Sequence, residues 1–145
     1  MSATSVFVRH PRLLYWATQV GGWGAFVGGF AAWTYLTDNW VPGLEKVVAL
    51  EFGIGLCTSH LLRHLVLRNR WLEMDPANVL PRLSALALAL SGLAFVLELT
   101  LHDLLFSEFE RLKDQPTATL IVRLLNWAVL LLIWSLIYFA YTWFV

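Results

Sequence analysis

Hydrophobic residues along this chain fall into four long runs separated by short polar stretches. The runs are continuous and rich in leucine and alanine, whereas the strands of a membrane barrel alternate apolar and polar residues. An apolar helix of about 20 residues is long enough to cross a bilayer. The pattern therefore predicts an all-α fold, a four-helix transmembrane bundle, with a soluble bundle of buried helices as the alternative. The predicted spans are approximately 13–36, 44–67, 83–106 and 118–145, and together they form one transmembrane domain, 1–145.

The composition agrees with a membrane protein and excludes several other classes. Hydrophobic residues make up 59% of the 145 residues and charged residues only 14%, whereas about a quarter of the residues in a soluble domain are charged. The formal net charge is zero, so the basic surface typical of nucleic-acid binding is absent from the sequence. Cys57 is the single cysteine, which excludes a disulfide within the chain.

The distribution of arginine and lysine predicts the orientation of the spans. Cytoplasmic loops of membrane proteins carry an excess of these residues. The N-terminal tail and the second loop are rich in arginine, whereas the basic residues of the first and third loops are outnumbered by acidic ones. Both termini and residues 68–82 should therefore face the cytoplasm, with residues 37–43 and 107–117 outside. The arginines of the cytoplasmic side are Arg9, Arg12, Arg63, Arg68, Arg70 and Arg82.

Small residues predict close helix packing. The first span contains GGWGAFVGG, in which Gly24 and Gly28 have the GxxxG spacing that lets helix backbones approach each other in a bilayer. Packing within one chain explains this spacing as well as packing between two copies does, so both interpretations stay open. Gly53 and Gly55 in the second span indicate another close crossing.

Ionisable side chains inside the predicted spans indicate a polar site. Glu51, Glu98 and Arg123 come from three different spans, and each lies about 8–12 Å below the predicted outer boundary at 1.5 Å per residue. Charged groups in a membrane rarely face lipid, so these three should face the interior and pair. His102 follows Glu98 by four residues and Asn126 follows Arg123 by three. The five residues are the predicted ligand-binding pocket.

Three interpretations of this pocket stay open. In the first, Arg123 pairs with Glu51 or Glu98 and only fixes how the helices pack. In the second, the pocket binds a small polar or cationic ligand or senses protons. In the third, Glu51, Glu98 and His102 bind a divalent metal such as zinc or copper, because carboxylate and imidazole groups suit such ions.

Catalytic motifs are missing from the sequence. The chain has no HExxH, no GxSxG and no glycine-rich phosphate-binding loop outside the apolar runs. We therefore expect no enzymatic activity from this chain itself.

Three stretches resemble a known family: YWATQVGGWGAF, TSHLLRHLVLRNRWL and LLIWSLIYFAYTWF. Together they are similar to the N-terminal four-span membrane region of LytS/AlgZ-type bacterial sensor histidine kinases, over nearly all 145 residues. The resemblance implies a multi-pass protein of the bacterial inner membrane, a homodimer, and a LytTR-type response regulator as the downstream partner. It also implies a cytoplasmic kinase part after the last span, and none of that part's catalytic motifs lies in this sequence.

The sequence thus predicts a signal-sensing and dimerisation domain of a two-component sensor kinase, in which the fourth span passes a stimulus to the kinase. The last residues, YFAYTWFV, lack the basic flank that usually follows a final span, which favours a piece of a longer protein. The alternatives are a small transporter or channel subunit with a buried polar pathway, and a membrane anchor without a ligand.

Overall fold

The computed structural model describes residues 11–106 and 114–144, and in these ranges the chain is helical without any strand. The all-α prediction is confirmed. A short 3-10 helix, Trp71–Glu73, lies between the second and third α-helices. The α-helices are α1, Pro11–Leu36; α2, Leu44–Arg68; α3, Pro76–Phe106; and α4, Thr117–Phe144.

The helix ends agree closely with the predicted spans except at the start of α3. This helix begins at Pro76, seven residues before the predicted span start at residue 83. Proline suits the first position of a helix because its missing N–H has no partner there in any case. The carbonyl of Asp75 accepts hydrogen bonds from the amides of Asn78 and Val79, which establishes the first turn. Pro81 then lies inside the helix, one turn later.

Two of the described helices are long and apolar enough to cross a membrane, namely α3 within Pro76–Leu105 and α4 within Thr117–Tyr141. Helices α1 and α2 have the length but do not meet the same requirement for hydropathy and low charge. Polar and charged residues are spread along α2, and α1 contains glutamine, threonine and several glycines. The predicted orientation rests partly on the N-terminal tail and on residues 107–113, which lie outside the described ranges, so the orientation stays a prediction.

The chain divides into two units, residues 1–56 and residues 57–145. In the second unit, α3 and α4 pack against each other. The buried positions recur every three or four residues on each helix, as one face of an α-helix requires. Ser91 and Ser135 are buried on these faces, and each hydroxyl donates to a backbone carbonyl of its own helix. The buried apolar residues of the pair are Val79, Leu83, Ala87, Leu90, Ala94, Trp127, Ala128, Leu131 and Phe139.

In the first unit, Trp23 of the glycine-rich stretch packs against Gly55 of α2. The Trp23 side chain is fully buried, and a Cβ atom placed on Gly55 would lie 2.5 Å from its ring. The predicted close crossing is therefore found at Gly55. It is not found at Gly53 or Gly28, where an added Cβ would meet nothing within 4 Å, and at Gly24 the nearest atom belongs to Phe52, at 3.9 Å.

Candidate functional site

Glu98 is the most buried charged side chain of the described residues, with 3% of its surface exposed. It lies on the face of α3 that packs against α4, in line with Ala87, Ser91 and Ala94. These small side chains allow α4 to come close to α3, and the glutamate then extends into the contact between the helices. Burying even a neutral polar group without a hydrogen bond costs about 2–7 kcal/mol, and burying a carboxylate costs more. Both oxygen atoms of Glu98 therefore need hydrogen-bond donors.

Two side chains of α4 satisfy the Glu98 carboxylate, one at each oxygen. The Nη2 group of Arg123 donates a short, charge-assisted hydrogen bond to Oε1. The indole Nε1–H of Trp127 donates to Oε2 at 2.7 Å. Hydrogen bonds to ionised groups are roughly twice as strong as those between neutral groups, so these two bonds link α3 firmly to α4. We call Glu98, Arg123 and Trp127 the polar cluster.

The positions of Arg123 and Trp127 follow from helix geometry. They are four residues apart, so they lie on the same face of α4, one turn after the other. The Arg123 side chain keeps 24% of its surface exposed, whereas Trp127 is buried at 4%. The Nη1 group of Arg123 also donates to Oε1 of Gln115, at a longer 3.4 Å. The cluster therefore has a closed side at Trp127 and a partly open side at Arg123.

His102 lies one turn after Glu98 and is also buried, with 4% exposed. The side chain takes part in interactions of its own, although its Nε2 atom makes no hydrogen bond within residues 11–106 and 114–144. The predicted proximity of Glu98 and His102 on one helix face is thus found. A hydrogen bond between their side chains is not among the contacts of the described part of the chain.

The structure decides which glutamate pairs with Arg123, and it is Glu98. Glu51 belongs to the first unit, where its side chain is half-buried and has interactions of its own. Asn126 is exposed, and within the described ranges it makes no hydrogen bond with Glu98 or Arg123. Of the five predicted site residues, the structure brings Glu98 and Arg123 into contact and places His102 beside them along α3.

The metal interpretation receives no support and stays a prediction. Among the residues that the structure describes, no three histidine, cysteine, aspartate or glutamate side chains lie close enough to hold an ion. Both oxygens of Glu98 already accept hydrogen bonds from Arg123 and Trp127. A cation at Glu98 would have to displace one of these donors.

Trp127 is the member of the cluster that sequence reasoning missed. Trp127 is followed by Trp134, Tyr138 and Tyr141 at spacings of seven, four and three, a pattern typical of packing that does not identify a hydrogen-bond donor. Its spacing of four from Arg123 is the available signal, because residues four apart on a helix share a face. A buried tryptophan also usually finds an acceptor for its N–H.

No protein-family model, curated protein or solved structure matches this chain. The resemblance to the membrane region of LytS/AlgZ-type kinases rests on the three sequence stretches alone.

Proposed function

We propose that this chain is a four-span membrane domain that receives a signal for a bacterial two-component sensor histidine kinase. The observation that carries the proposal is the polar cluster, in which a buried carboxylate of α3 is held by Arg123 and Trp127 of α4. It lies in the two helices that are apolar enough to cross a membrane. Charged pairs at such positions are rare in membrane helices and mark functional sites by default.

The cluster suits a two-state signalling element. In apolar surroundings few other hydrogen-bond donors are available to Glu98. Helices α3 and α4 therefore either keep these bonds or adopt one of a few other arrangements in which the carboxylate is still hydrogen-bonded. A stimulus that binds one arrangement more tightly shifts the population towards it. Small shifts of packed helices are a common form of such transitions. Because Arg123 is partly exposed, it is the member of the cluster that a ligand can reach first.

The proposal includes α1 and α2 as membrane spans although only α3 and α4 are apolar enough by composition. Several of the polar residues that lower their hydropathy are buried inside the protein, so lipid would not meet them. Within the described residues these are Gln19, Thr34, Thr58 and Ser59. Polar residues inside membrane proteins face the protein interior in this way.

We also propose that the domain is a homodimer whose interface includes the GxxxG face of α1. Gly24 and Gly28 are exposed in the single chain, and an added Cβ at Gly28 would meet open space. Small residues at this spacing allow close contact between helices in a bilayer. The downstream partner would be a LytTR-type response regulator, reached through a cytoplasmic kinase part.

The first test reads the gene beyond the codon for Val145. An in-frame phosphoacceptor helix followed by an ATP-binding domain is the expected result. A stop codon directly after Val145 would overturn the kinase assignment and leave the transporter, channel and anchor alternatives. No particular contact among the described residues favours any of these alternatives.

The second test measures autophosphorylation of the full-length kinase in nanodiscs with radiolabelled ATP. Glu98→Gln keeps the shape of the side chain and removes the charge that Arg123 neutralises. We expect at least about a tenfold change in rate, because a shift of 1.4 kcal/mol between two states changes their ratio tenfold. The matched control is Asp75→Asn. Asp75 is exposed, and asparagine suits the start of a helix as well as aspartate does, so the control should keep the wild-type rate. A wild-type rate in Glu98→Gln, with wild-type thermal stability, would contradict a signalling role for the cluster.

A further inference from the structure

Helices α1 and α2 end in the same backbone geometry but with residues of opposite charge. At the end of α1, Asp38 has a positive φ of 55° and its amide donates to the carbonyl of Tyr35. At the end of α2, Arg70 also has a φ of 55° and its amide donates to the carbonyl of Leu67. Both residues therefore occupy the left-handed position that usually closes a helix, where glycine is the most common residue.

The two residues differ in how their charge suits a helix end. The carboxyl end of a helix carries a partial negative charge of about half an elementary charge, which favours cations. Arg70 fits this field, and Arg68 in the last turn of α2 adds a second cation. Asp38 opposes the field, and the last turn of α1 has no basic residue. No lysine or arginine within the described residues forms an ion pair with Asp38.

Asp38 therefore combines two unfavourable features at one position, a left-handed backbone and a negative charge at the negative end of a helix. Glycine or asparagine would avoid the charge and adopt the backbone more easily. Backbone conformations of this kind occur preferentially at functional sites. A cation bound beside Asp38 would offset both the carboxylate and the negative end of the helix.

The surroundings of Asp38 have the form of a small binding site. Tyr35, Leu36, Asp38 and Trp40 line an open cleft of about 410 Å³, a volume in the range of small-molecule sites. The rings of Tyr35 and Trp40 lie 6.4 Å apart between centroids with their planes at 78°. The near-perpendicular planes form an aromatic corner beside the carboxylate.

The aromatic corner is held in place by hydrogen bonds of the turn. The amide of Asn39 donates to the carbonyl of Thr34 at 2.9 Å, and its side-chain amide donates to the Thr37 hydroxyl at 3.0 Å. The Thr37 hydroxyl donates in turn to the carbonyl of Trp33 at 2.8 Å. These bonds use the last carbonyls of α1 and fix the turn that carries Asp38 and Trp40. The cleft is therefore built on a backbone turn that is held by hydrogen bonds.

We propose that this cleft binds a methylated ammonium cation, with Asp38 neutralising its charge and the faces of Tyr35 and Trp40 contacting its methyl groups. Aromatic faces attract such cations through their negative π-electron density, and tryptophan is the best of them. The same cation occurs as a free solute and as the choline headgroup of a lipid. The described residues of the site all lie within residues 35–40, and none of them belongs to the polar cluster, so the site does not depend on the proposed kinase function.

The test is a calorimetric titration of the purified full chain in phosphatidylglycerol nanodiscs. The probes are choline chloride and 3,3-dimethylbutan-1-ol, which has the same shape without the charge. Choline should bind saturably, and the neutral probe at least about tenfold more weakly. Asp38→Asn, which keeps the backbone and removes the charge, should weaken choline at least about tenfold, and Trp40→Leu should weaken it as well. Asp75→Asn removes an exposed carboxylate elsewhere and should leave binding unchanged.

Phosphatidylcholine nanodiscs distinguish the two sources of the cation. If the lipid headgroup occupies the cleft, the apparent affinity for added choline falls in these discs relative to phosphatidylglycerol discs. If the natural ligand is a free solute, the affinity is the same in both. The proposal is overturned if choline gives no saturable heat in phosphatidylglycerol discs. It is also overturned if the neutral probe binds as well as choline, or if Asp38→Asn leaves binding unchanged with helical circular dichroism intact.

Discussion

One close contact between helices in each unit contrasts with the helices that contain it. In the second unit, the contact between Glu98, Arg123 and Trp127 is ionic, although α3 and α4 are the two described helices apolar enough to cross a membrane. In the first unit, the contact between Trp23 and Gly55 is apolar, although neither α1 nor α2 is among the helices apolar enough to cross a membrane. Whether a helix is apolar enough to cross a membrane therefore does not reveal the chemistry of its contacts with other helices.

The difference between the contacts is also one of specificity. A tryptophan against a glycine is defined by shape, and neighbouring apolar side chains can partly replace it. A carboxylate between a guanidinium and an indole N–H is defined by donor and acceptor positions, and an apolar neighbour cannot replace either donor. The ionic contact should therefore be the more sensitive of the two to loss of one partner, and the less sensitive to replacement of both.

The largest effect is expected from Arg123→Leu. This substitution leaves Glu98 buried without its cation, and breaking a buried pair in this way costs 3–5 kcal/mol. We expect about 3 kcal/mol, at the lower end of that range, because part of the Arg123 side chain is exposed. The measurement is the free energy of unfolding in mixed detergent micelles.

The double variant Glu98→Leu with Arg123→Leu is the control for this prediction. It removes both charges, and replacing a whole buried pair by apolar residues is often neutral or stabilising. Its stability should therefore return towards the wild-type value. A double variant that is less stable than Arg123→Leu alone would show that Arg123 does not stabilise the protein through its pair with Glu98.

The apolar contact should respond to Gly55→Ala with a somewhat smaller loss. The new methyl group would lie 2.5 Å from the buried Trp23 ring, so the ring or the helix must move, at about 1–3 kcal/mol for overpacking. Gly53→Ala is the matched control on the same helix, because its methyl group would meet nothing within 4 Å. Thermal melts of the two variants in the same detergent make the comparison. Equal melting temperatures would mean that Trp23 does not fix the position of α2.

Much of the fold could be predicted from the sequence, because continuous apolar runs and their polar separators define helices directly. The ends of α1, α2 and α4 lie within two residues of prediction in the described ranges. Helix α3 begins before the span predicted from residue 83, because Pro76 at its first position is compatible with a helix and Pro81 lies inside it. The packing of glycines was predicted only in part. Small residues mark where helices can approach, and only the tertiary structure shows that Gly55 is covered and Gly28 is not.

The candidate site could be predicted only in its charged members. Equal depth in the spans predicted that Arg123 pairs with a glutamate, because opposite charges in apolar surroundings find each other. Asn126 and Trp127 lie on opposite sides of Arg123, about −60° and +40° around a helix of 3.6 residues per turn. Which side faces α3 depends on how the two helices pack, and the spacing within α4 does not contain that information. For this reason the sequence predicts Asn126, and not Trp127, as the neighbour of Arg123 in the site.

The smallest of the three effects is expected from Trp127→Phe, which tests whether the indole is a hydrogen-bonding member of the ionic contact or only fills space there. Phenylalanine keeps most of the ring and removes the N–H that donates to Oε2 of Glu98 at 2.7 Å. A hydrogen bond to a charged group contributes about 1.5–3 kcal/mol, and we expect about 1.5 kcal/mol, because Arg123 still neutralises the carboxylate.

Part of any loss would come from the smaller ring, and a double-mutant cycle with Glu98→Gln separates the two contributions. If the N–H acts through the carboxylate charge, Trp127→Phe should cost clearly less in the Glu98→Gln background than in the wild type. The same cost in both backgrounds would make Trp127 a packing residue and reduce the polar cluster to the pair of Glu98 and Arg123.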